Sequence, residues 1–535
     1  MTAGRSENRR NREQDMTEEH HSTEQQLIEN RIEKMARFRE RGDEPFKYAF
    51  RRSCSIAEAR AAFETAEKDA HEPEQLNVPV TVAGRMVALR GQGKVTFADL
   101  RDESDRMQVF FRQNELGDAA YEHLKDLDIG DFLGIEGQVF RTRRGEVTVR
   151  AEKYTLLTKS LRPLPEKWHG LTDVETRYRQ RYLDMVSNPE VLETFRRRIK
   201  IISTLRQWLA ARGFLEVETP MLHHIPGGAT ARPFVTHHNT FDRNFYLRIA
   251  PELHLKRLIV GGFEKVFELN RSFRNEGVDT LHNPEFTMME LYEAYQDYMG
   301  LMDTTEEMLA DVAREVTGNT AFDYLGQTID MTRPWKRISL FEAIREHARI
   351  DLEPHKDDRN AAAELAEGAG CLIEDHMGYG KIVDEVMSEK VKPNLVQPTF
   401  LYDYPLEISP LAKKKRGNPS LTERFQLFVA GMELGNAFSE LNDPIDQRER
   451  FMDQVRQRER GDDEAQYLDN DYITALELGM PPTAGLGIGV DRLAMLLTNK
   501  ASIREVILFP QLRTIEAAGD TTFPPISGEG NVKTS

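Results

Sequence analysis

Apolar and polar residues alternate in five short segments near the start of the chain. One stretch with helical spacing, residues 113–126, interrupts them, and glycines stand at turns between them. A period of two places every second side chain on the same face of a strand. The segments are Val78–Leu89, Lys94–Leu100, Met107–Phe111, Asp131–Phe140 and Glu146–Arg150. Short strands joined by glycine-containing turns predict a five-stranded β-barrel.

This barrel pattern is typical of the oligonucleotide-binding (OB) fold, which contacts unpaired bases on one face by stacking and hydrogen bonding. Arg85, Phe97 and Gln108 lie on strands that would form that face. They are therefore candidate nucleic-acid contacts. The alternative, that they are ordinary barrel residues, stays open on this pattern alone.

The rest of the chain has a different periodicity. A helical pattern precedes the barrel, and after about residue 170 helical patterns alternate with strand-like runs, which predicts an α+β protein. The predicted divisions are a disordered tail over 1–24, a helical segment over 25–74, the barrel over 75–160, a linker over 161–180, the larger domain over 181–512 with a helical insertion at about 340–400, and a tail over 513–535.

Composition limits the class of protein. At 535 residues the chain is too long for one core, and 39% hydrophobic with 30% charged residues fits a globular protein. No apolar run is long enough to span a bilayer, so we expect neither a membrane span nor a secretory signal. Cys54 and Cys371 lie far apart, which predicts thiols in a reducing cytoplasm. Met16 is a second candidate for the first residue of the protein.

The net charge says less about possible partners than the local distribution of charge does. A formal net charge of −17 argues against a partner that is a polyanion. Only charges within about 10 Å act on a phosphate, however, so local patches count for more. Arg141–Arg144 and Lys413–Arg416 are such basic patches, and the plainer interpretation of each is a solvated loop.

Three segments of the larger domain carry the candidate chemistry. The first, Arg196–Pro220, predicts a long amphipathic helix that ends at Gly213, followed by a short strand that ends at Pro220. The third, Gly485–Arg492, runs into a helical pattern, and its glycines allow a close backbone approach. It has neither the phosphate-loop ending nor the dinucleotide-binding spacing.

The second segment predicts a hairpin. An apolar strand would carry Arg274 and Glu276 on one face, because they are two residues apart. A turn containing His282 leads into a strand on which Phe286 and Glu290 share a face. Arginine, histidine, glutamate and phenylalanine side chains that converge in this way could hold a triphosphate and stack on a base. An amphipathic hairpin with ion pairs is the alternative interpretation.

In this order and behind the barrel, the three segments resemble the three motifs of the class II aminoacyl-tRNA synthetases. The similarity is greatest to the lysine enzymes of the subclass shared with aspartate and asparagine, and it extends over about Gln26–Pro510. The stretches that match almost word for word are Gly227–Phe234, Leu247–Leu253, His282–Tyr292 and Gly435–Asp443. The resemblance implies an N-terminal OB domain that binds the anticodon, a catalytic domain on an antiparallel sheet flanked by helices, and a homodimer built by the first motif.

The resemblance also implies how ATP would bind. The family's ATP residues match positions whose side chains suit phosphates and a base. Arg274 would contact the α-phosphate, Glu276 the adenine end, His282 the β- and γ-phosphates and Phe286 the adenine ring, and Arg492 would close the other adenine face and reach the γ-phosphate. Arg274 and Arg492 would be the catalytic residues, since no protein nucleophile is required.

L-Lysine would bind beside ATP. Its two ammonium groups require carboxylates in a dehydrated pocket, whereas an aspartate enzyme would need an arginine there. By resemblance, Gly228 and Glu252 hold the α-ammonium, Arg274 and Asn436 the carboxylate, and Glu290, Tyr292, Phe438 and Glu440 the side chain, with Glu440 and Tyr292 at the ε-ammonium.

One position departs from the family. The metal-binding glutamates correspond to Glu433 and to position 426, where this chain has Gln426. An amide oxygen can still bind Mg²⁺, though more weakly than a carboxylate. The number of Mg²⁺ ions therefore stays open.

The implied activity is ligation of lysine to tRNA(Lys) through lysyl-adenylate, in the cytoplasm. Two alternatives remain: a lysyl-transferring paralogue that modifies a protein or a lipid, and an inactive RNA-binding relative. The first is expected to lack the barrel or to carry membrane spans. The second is expected to lose its ATP residues, whereas Arg274, His282 and Arg492 are all present.

Overall fold

The computed structural model describes residues 24–70, 76–165, 171–460 and 465–513. The predicted tails lie outside these ranges except for Glu24 and Arg513, and so does Met16. The chain divides into two compact units, Met1–Gly170 and Leu171–Ser535. Within the described ranges, no helix has both the length and the apolar character needed to cross a membrane.

The first unit is a closed barrel preceded by two helices. The helices are α1 (24–40), α2 (Ile56–Asp69), α3 (Gln113–Leu116) and α4 (Asp118–Glu122), with a 3₁₀ helix at His123–Asp126. The strands are β1 (Val78–Gln92), β2 (Val95–Arg101), β3 (Arg106–Arg112), β4 (Phe132–Arg141) and β5 (Val147–Thr158). They close in the order β1-β2-β3-β5-β4, which confirms the predicted five-stranded barrel. Strand β5 is longer than predicted. The prediction ended early because buried and exposed residues no longer alternate after Ala151.

Every second side chain of the strands points into the barrel and fills its interior. Side chains such as Leu100, Val109 and Leu133 point inwards and are fully buried. Helix α2 adds Ile56 and Phe63 to this core, and a capping box of Ser55 and Glu58 fixes its first turn. The opposite faces of the same strands are left for other contacts.

The second unit is built on a nine-stranded sheet with many helices. The strands are β6 (Leu215–Glu216), β7 (Leu222–His223), β8 (Val235–His238), β9 (Arg243–Leu247), β10 (Lys265–Phe273), β11 (Glu285–Ala294), β12 (Ala321–Tyr324), β13 (Gln327–Asp330), β14 (Lys336–Ser339), β15 (Thr399–Pro405), β16 (Lys414–Lys415), β17 (Asn418–Val429), β18 (Met432–Ser439) and β19 (Thr483–Gly489). The helices are α5 (Val174–Arg179), α6 (Arg181–Ser187), α7 (Pro189–Ala210), α8 (Glu252–Val260), α9 (Tyr298–Thr317), α10 (Leu340–His347), α11 (Arg359–Gly368), α12 (Tyr379–Val386), α13 (Pro444–Glu459), α14 (Asn470–Glu477), α15 (Val490–Leu497) and α16 (Ile503–Val506). Short 3₁₀ helices lie at Glu353–His355, Lys392–Asn394 and Leu406–Ile408, and a π-helix lies at Met387–Val391.

The strand order in this sheet is β14-β15-β17-β18-β19-β11-β10-β6, with β16 beside β17. The central pairs from β15 to β10 are antiparallel, as predicted. The two edge strands, β14 and β6, pair in parallel with their neighbours. Small sheets also form from β7, β9 and β8 and from β12 and β13.

The two faces of the central sheet have different roles. Met289, Leu291, Ala437, Leu486 and Ile488 are buried in the core with residues of α7, α9 and α15. Because side chains alternate along a strand, the intervening residues of β11, β18 and β19 point to the opposite face. That face is the floor of a cavity.

Three predictions about local structure were wrong. Strand β10 ends at Phe273, so Arg274 and Glu276 lie in the following loop, where both line the cavity. The strand after α7 covers only Leu215–Glu216, well before Pro220. The basic patch Lys413–Arg416 is not a solvated loop, since part of it forms β16 and its cations pair with acids.

Candidate active site

A cavity of about 410 Å³ opens over the central sheet of the second unit. This volume suits a small ligand or cofactor. Two of the three sequence segments converge on it: the second, from the loop after β10 and from β11, and the third, from β19 with α15. Its lining includes the following predicted site residues: Gly228, Glu252, Arg274, Glu276, His282, Phe286, Glu290, Tyr292, Glu433, Asn436, Phe438 and Arg492. Glu440 and Gln426 do not line it.

Glycines on β19 form the trough of this cavity. Gly485, Gly487 and Gly489 lie between β11 and β18 in the sheet, opposite residues whose side chains point into the cavity. A Cβ atom on Gly485 would come within 2.2 Å of Glu440 Oε1 and 2.4 Å of Tyr292 Cε1. At position 485 a side chain is therefore excluded by Tyr292 of β11 and by Glu440, which follows β18.

One end of the cavity is acidic. Glu290 on β11 is buried and accepts a hydrogen bond of 3.1 Å from the Tyr292 hydroxyl. Burial, reinforced by the nearby Glu252 carboxylate, raises the pKa of Glu290 to about 8. Glu252 begins α8 next to Gly228, where a φ of +88° favours glycine and an added Cβ would come within 3.0 Å of Glu252 Cβ.

Glu440 lies behind this end of the cavity, 1% exposed, just after β18. Its Oε2 pairs with Lys256, which also pairs with Glu252 Oε1 at 2.5 Å. Its Oε1 is buried without a hydrogen-bond partner, next to Tyr292 and Gly485. A buried carboxylate oxygen in this condition favours the approach of a cation.

Arginine and amide groups lie beside the acidic end. The Arg274 guanidinium lies 5.1 Å from the centre of the Phe286 ring, and its buried Nε has no partner. Asn436 accepts a hydrogen bond of 2.8 Å from Arg424 Nε through Oδ1, so its Nδ2 can donate to a ligand. Arg424 is fixed in turn by the Ile408 carbonyl at 2.7 Å. This combination can hold a carboxylate.

Arg492 and His282 line another part of the cavity. Arg492 donates to Nε2 of His282 at 3.0 Å and to the Glu433 carbonyl at 2.9 Å. Arginine cannot accept a hydrogen bond, so the proton of a neutral His282 lies on Nδ1, 2.8 Å from Asp279 Oδ2. These groups can contact phosphate oxygens beyond the Phe286 ring.

Asp491 fixes the start of α15 and thereby Arg492. Its Oδ2 accepts a hydrogen bond of 2.7 Å from the Thr287 amide, and its Oδ1 pairs with Arg198 of α7 at 2.6 Å. The buried network links the helix of the first motif to the strands of the second and third.

Gln426 and Glu433 are suitable ligands for a hard cation. Gln426 pairs with Asn436 across β17 and β18, and after a bulge in the ladder Glu433 pairs with Phe428. Asn436 and Glu433 line the cavity, whereas Phe428 packs in a separate core. Gln426 Oε1 is buried and has no hydrogen-bond partner. No group of three His, Cys, Asp or Glu side chains in the described ranges is arranged to hold a metal, so a bound ion would need further oxygen atoms from its substrates.

The three predicted nucleic-acid contacts lie on one outer face of the barrel. Phe97 pairs with Phe110, their rings 5.0 Å apart, and Gln108 is two residues from Phe110 on the same side. Arg85 lies opposite Arg101 and stacks 4.2 Å over Phe132. The arginines and phenylalanines of this face include Arg85, Arg90, Arg101, Arg106, Arg112, Arg150, Phe97, Phe110, Phe132 and Phe140.

Sequence reasoning missed three residues of the cavity and its support. Arg424 is two residues before Gln426, so strand alternation could have found it. Lys256 stands four residues after Glu252, a spacing that looks like an ordinary surface pair on a helix. Asp491 directly precedes Arg492, but its buried role depends on the distant Arg198.

Comparison with known proteins gives concordant matches. Residues 173–513 match the family model of tRNA synthetases class II (D, K and N), and residues 80–157 match the OB-fold nucleic acid binding domain. The chain is 54% identical to a lysine–tRNA ligase of Carboxydothermus hydrogenoformans over 91% of this chain and 98% of that protein. It is 54% identical to that of Pelotomaculum thermopropionicum (94% and 97%) and 51% identical to that of Bacillus subtilis (93% and 100%).

Proposed function

This chain belongs to the tRNA synthetases of class II (D, K and N), and we propose that it is a lysine–tRNA ligase. It activates L-lysine with ATP and transfers the lysyl group to the 3′-terminal ribose of tRNA(Lys). The observation that carries the choice of lysine is a group of three carboxylates: Glu252 and Glu290 line one end of the cavity, and Glu440 lies behind that end. A substrate with a second ammonium group matches this charge, whereas an acidic side chain would be repelled.

Lysine binds between the acidic end and Arg274. The Gly228 carbonyl and Glu252 take its α-ammonium, and Arg274 with Asn436 Nδ2 takes its carboxylate. The side chain extends along Phe438 and Glu290, and its ε-ammonium reaches Tyr292 and the free oxygen of Glu440. Every charged group of the substrate then has a partner of opposite charge, as a dehydrated site requires.

ATP occupies the rest of the cavity. Phe286 stacks on the adenine, Glu276 contacts its edge, and Arg492 covers the other face. Arg274 contacts the α-phosphate, and His282 with Arg492 contacts the distal phosphates. Glu433 and Gln426 Oε1 would hold Mg²⁺, which neutralises phosphate charge when bound.

The reaction is a pair of displacements. A carboxylate oxygen of lysine attacks the α-phosphorus in line, the bond to the bridging oxygen breaks, and pyrophosphate leaves. The terminal 3′-hydroxyl of tRNA(Lys) then attacks the lysyl carbonyl, loses its proton and displaces AMP. Arg274 adjoins both the carboxylate and the α-phosphate, so it stabilises the charge that develops between them.

We assign anticodon binding to the barrel, with Arg85, Phe97 and Gln108 as contacts. Aromatic rings for stacking and cations for phosphates are what a single-stranded anticodon requires. We also propose a homodimer in the cytoplasm. Ile199 and Leu215, in the first motif, are 66% and 52% exposed, which supports an interface there.

Pyrophosphate–ATP exchange with each of the twenty amino acids, with and without Mg²⁺, tests this function. Exchange with lysine alone, followed by charging of tRNA(Lys), is the expected result. Exchange with aspartate or asparagine would refute the substrate assignment. Exchange with lysine but no charging of tRNA would favour a paralogue with another acceptor.

A further inference from the structure

Lys256 is a buried cation that the reaction does not use. It lies on α8 with a side chain 0% exposed, and its Nζ contacts Glu252 Oε1 at 2.5 Å and Glu440 Oε2. Nζ also lies 5.2 Å from the centre of the Phe438 ring. Three residues assigned to the substrate thus surround a lysine that belongs to the chain itself.

Lys256 links two of the carboxylates assigned to the substrate, Glu252 and Glu440. Glu252 and Lys256 are four residues apart on one helix, so helix geometry holds their pair together. Lys256 also contacts Glu440, which follows β18 and lies behind the acidic end of the cavity. Because Lys256 contacts Oε2, the other oxygen of Glu440 is left towards Tyr292 and Gly485.

We propose that Lys256 is a positioning residue for lysine recognition, which keeps Glu440 ionised and directs its free oxygen at the ε-ammonium of the substrate. This inference rests on the proposed function. Neighbouring carboxylates in a dry site cannot all stay ionised without a cation. Lys256 provides that cation before the substrate arrives.

Burial raises the pKa of Glu440, and Lys256 opposes this effect, although burial remains the larger of the two. Burial alone would lower the pKa of Lys256, but Glu252 and Glu440 outweigh it and raise the pKa above its ordinary range. The other charged or titratable groups that face this cluster are Glu290 and Tyr292 on β11, Tyr472 on α14, Arg424 on β17, Arg248 before α8, Arg257 on α8 and Arg274 after β10.

The first test is Lys256→Met, which keeps the length of the side chain and removes its charge. In pyrophosphate exchange we expect KM for lysine to rise roughly 30-fold or more, because a buried charge loses its partner, while KM for ATP changes less than about twofold. Lys265→Met is the matched control, since Lys265 pairs with Glu293 outside the cavity. A folded Lys256→Met enzyme with an unchanged KM for lysine would overturn the proposal.

A proton count separates positioning from a purely structural role. Without Lys256, Glu440 takes up a proton in the free enzyme and loses it when lysine binds. Calorimetry of lysine binding in two buffers of different ionisation enthalpy should therefore show about one more proton released than in the wild type. Lys256→Arg, which keeps the charge, should restore the wild-type count. An equal count in all three proteins would contradict the role.

A double variant in which both partners are neutral replaces this test if Lys256→Met alone does not fold. Lys256→Met combined with Glu440→Gln leaves no charge unpaired between these two positions. Because Lys256 acts through Glu440, we expect this double variant to have a KM for lysine within about threefold of Glu440→Gln alone. A further tenfold loss would overturn the proposal. A wild-type enzyme without lysine-dependent exchange would instead refute the proposed function.

Discussion

The outer face of the barrel and the cavity of the second unit both use the alternation of side chains on a sheet, but they place charge in opposite ways. On the barrel, Arg90 and Arg106 are exposed around Phe97 and its neighbours. In the cavity, Glu290 is 3% exposed and Glu440 is 1% exposed. The barrel surface presents exposed arginines, of which Arg90 and Arg106 pair with the buried Asp99, and the cavity buries its anions.

The difference predicts how each site recognises its ligand. Exposed charges are screened by salt and act as a sum, so single substitutions on the barrel should have moderate effects. Buried charges are unscreened, and each requires a partner, so single substitutions in the cavity should have large effects. The formal net charge of −17 describes neither surface.

The largest effect is expected from Glu440→Gln. The substitution keeps the shape of the side chain but removes the charge that faces the ε-ammonium, so kcat/KM for lysine should fall about 100-fold. KM for ATP should stay within about twofold. Pyrophosphate exchange measures both quantities.

Glu293→Gln is the matched control for that substitution. Glu293 lies on β11 and pairs with Lys265 at 2.7 Å, outside the cavity lining. It should leave lysine activation near the wild-type value. An unchanged affinity for lysine in Glu440→Gln would remove Glu440 from the binding site.

A pH dependence follows from Glu290. Its pKa is raised to about 8, so below that pH the free enzyme carries a protonated Glu290 that must ionise to face the substrate. KM for lysine should therefore fall about tenfold per unit as pH rises towards 8 and then level off. Steady-state exchange between pH 6 and 8.5 measures this.

Glu290→Gln provides the check on this assignment. It should raise KM for lysine at every pH and abolish most of the slope. A slope that persists in Glu290→Gln would assign the titration to another group.

Much of this cavity could be predicted, because the strand period fixes which side chains share a face. Phe286, Glu290 and Tyr292 followed from that period, together with the resemblance to a family. Lys256 could not be predicted in the same way. Its importance comes from Glu440, far away in sequence, and no local pattern encodes that contact.

Boundaries and pairings were the weaker predictions. The barrel and its helical interruption agreed with the pattern, since both depend on local periodicity. The strand pattern placed the end of β10 too late, since the strand ends at Phe273, before Arg274 and Glu276. The basic run Lys413–Arg416 was misinterpreted because its acidic partners, such as Asp403 and Asp446, lie elsewhere in the sequence.

A smaller effect is expected from Phe97→Ala on the barrel. Loss of one stacking ring should raise KM for tRNA(Lys) about tenfold, because base–aromatic stacking contributes roughly 1–3 kcal/mol. Pyrophosphate exchange, which needs no tRNA, should be unchanged and serves as the internal control. Phe97→Tyr retains the ring and should charge tRNA nearly normally. An equal loss in both steps would contradict the assignment of anticodon binding to this face.

The smallest effect is expected from Gln426→Glu, which adds a negative charge at a buried position of the second unit. Gln426 Oε1 has no partner, so a carboxylate there would gain most from a cation rather than from the protein. The Mg²⁺ concentration for half-maximal exchange should fall about fivefold, since carboxylates bind Mg²⁺ more tightly than amides. Gln397→Glu, an exposed position outside the cavity lining, is the control. If the Mg²⁺ dependence of both variants matched the wild type, position 426 would not contact the metal, and Glu433 with the phosphates would account for its binding.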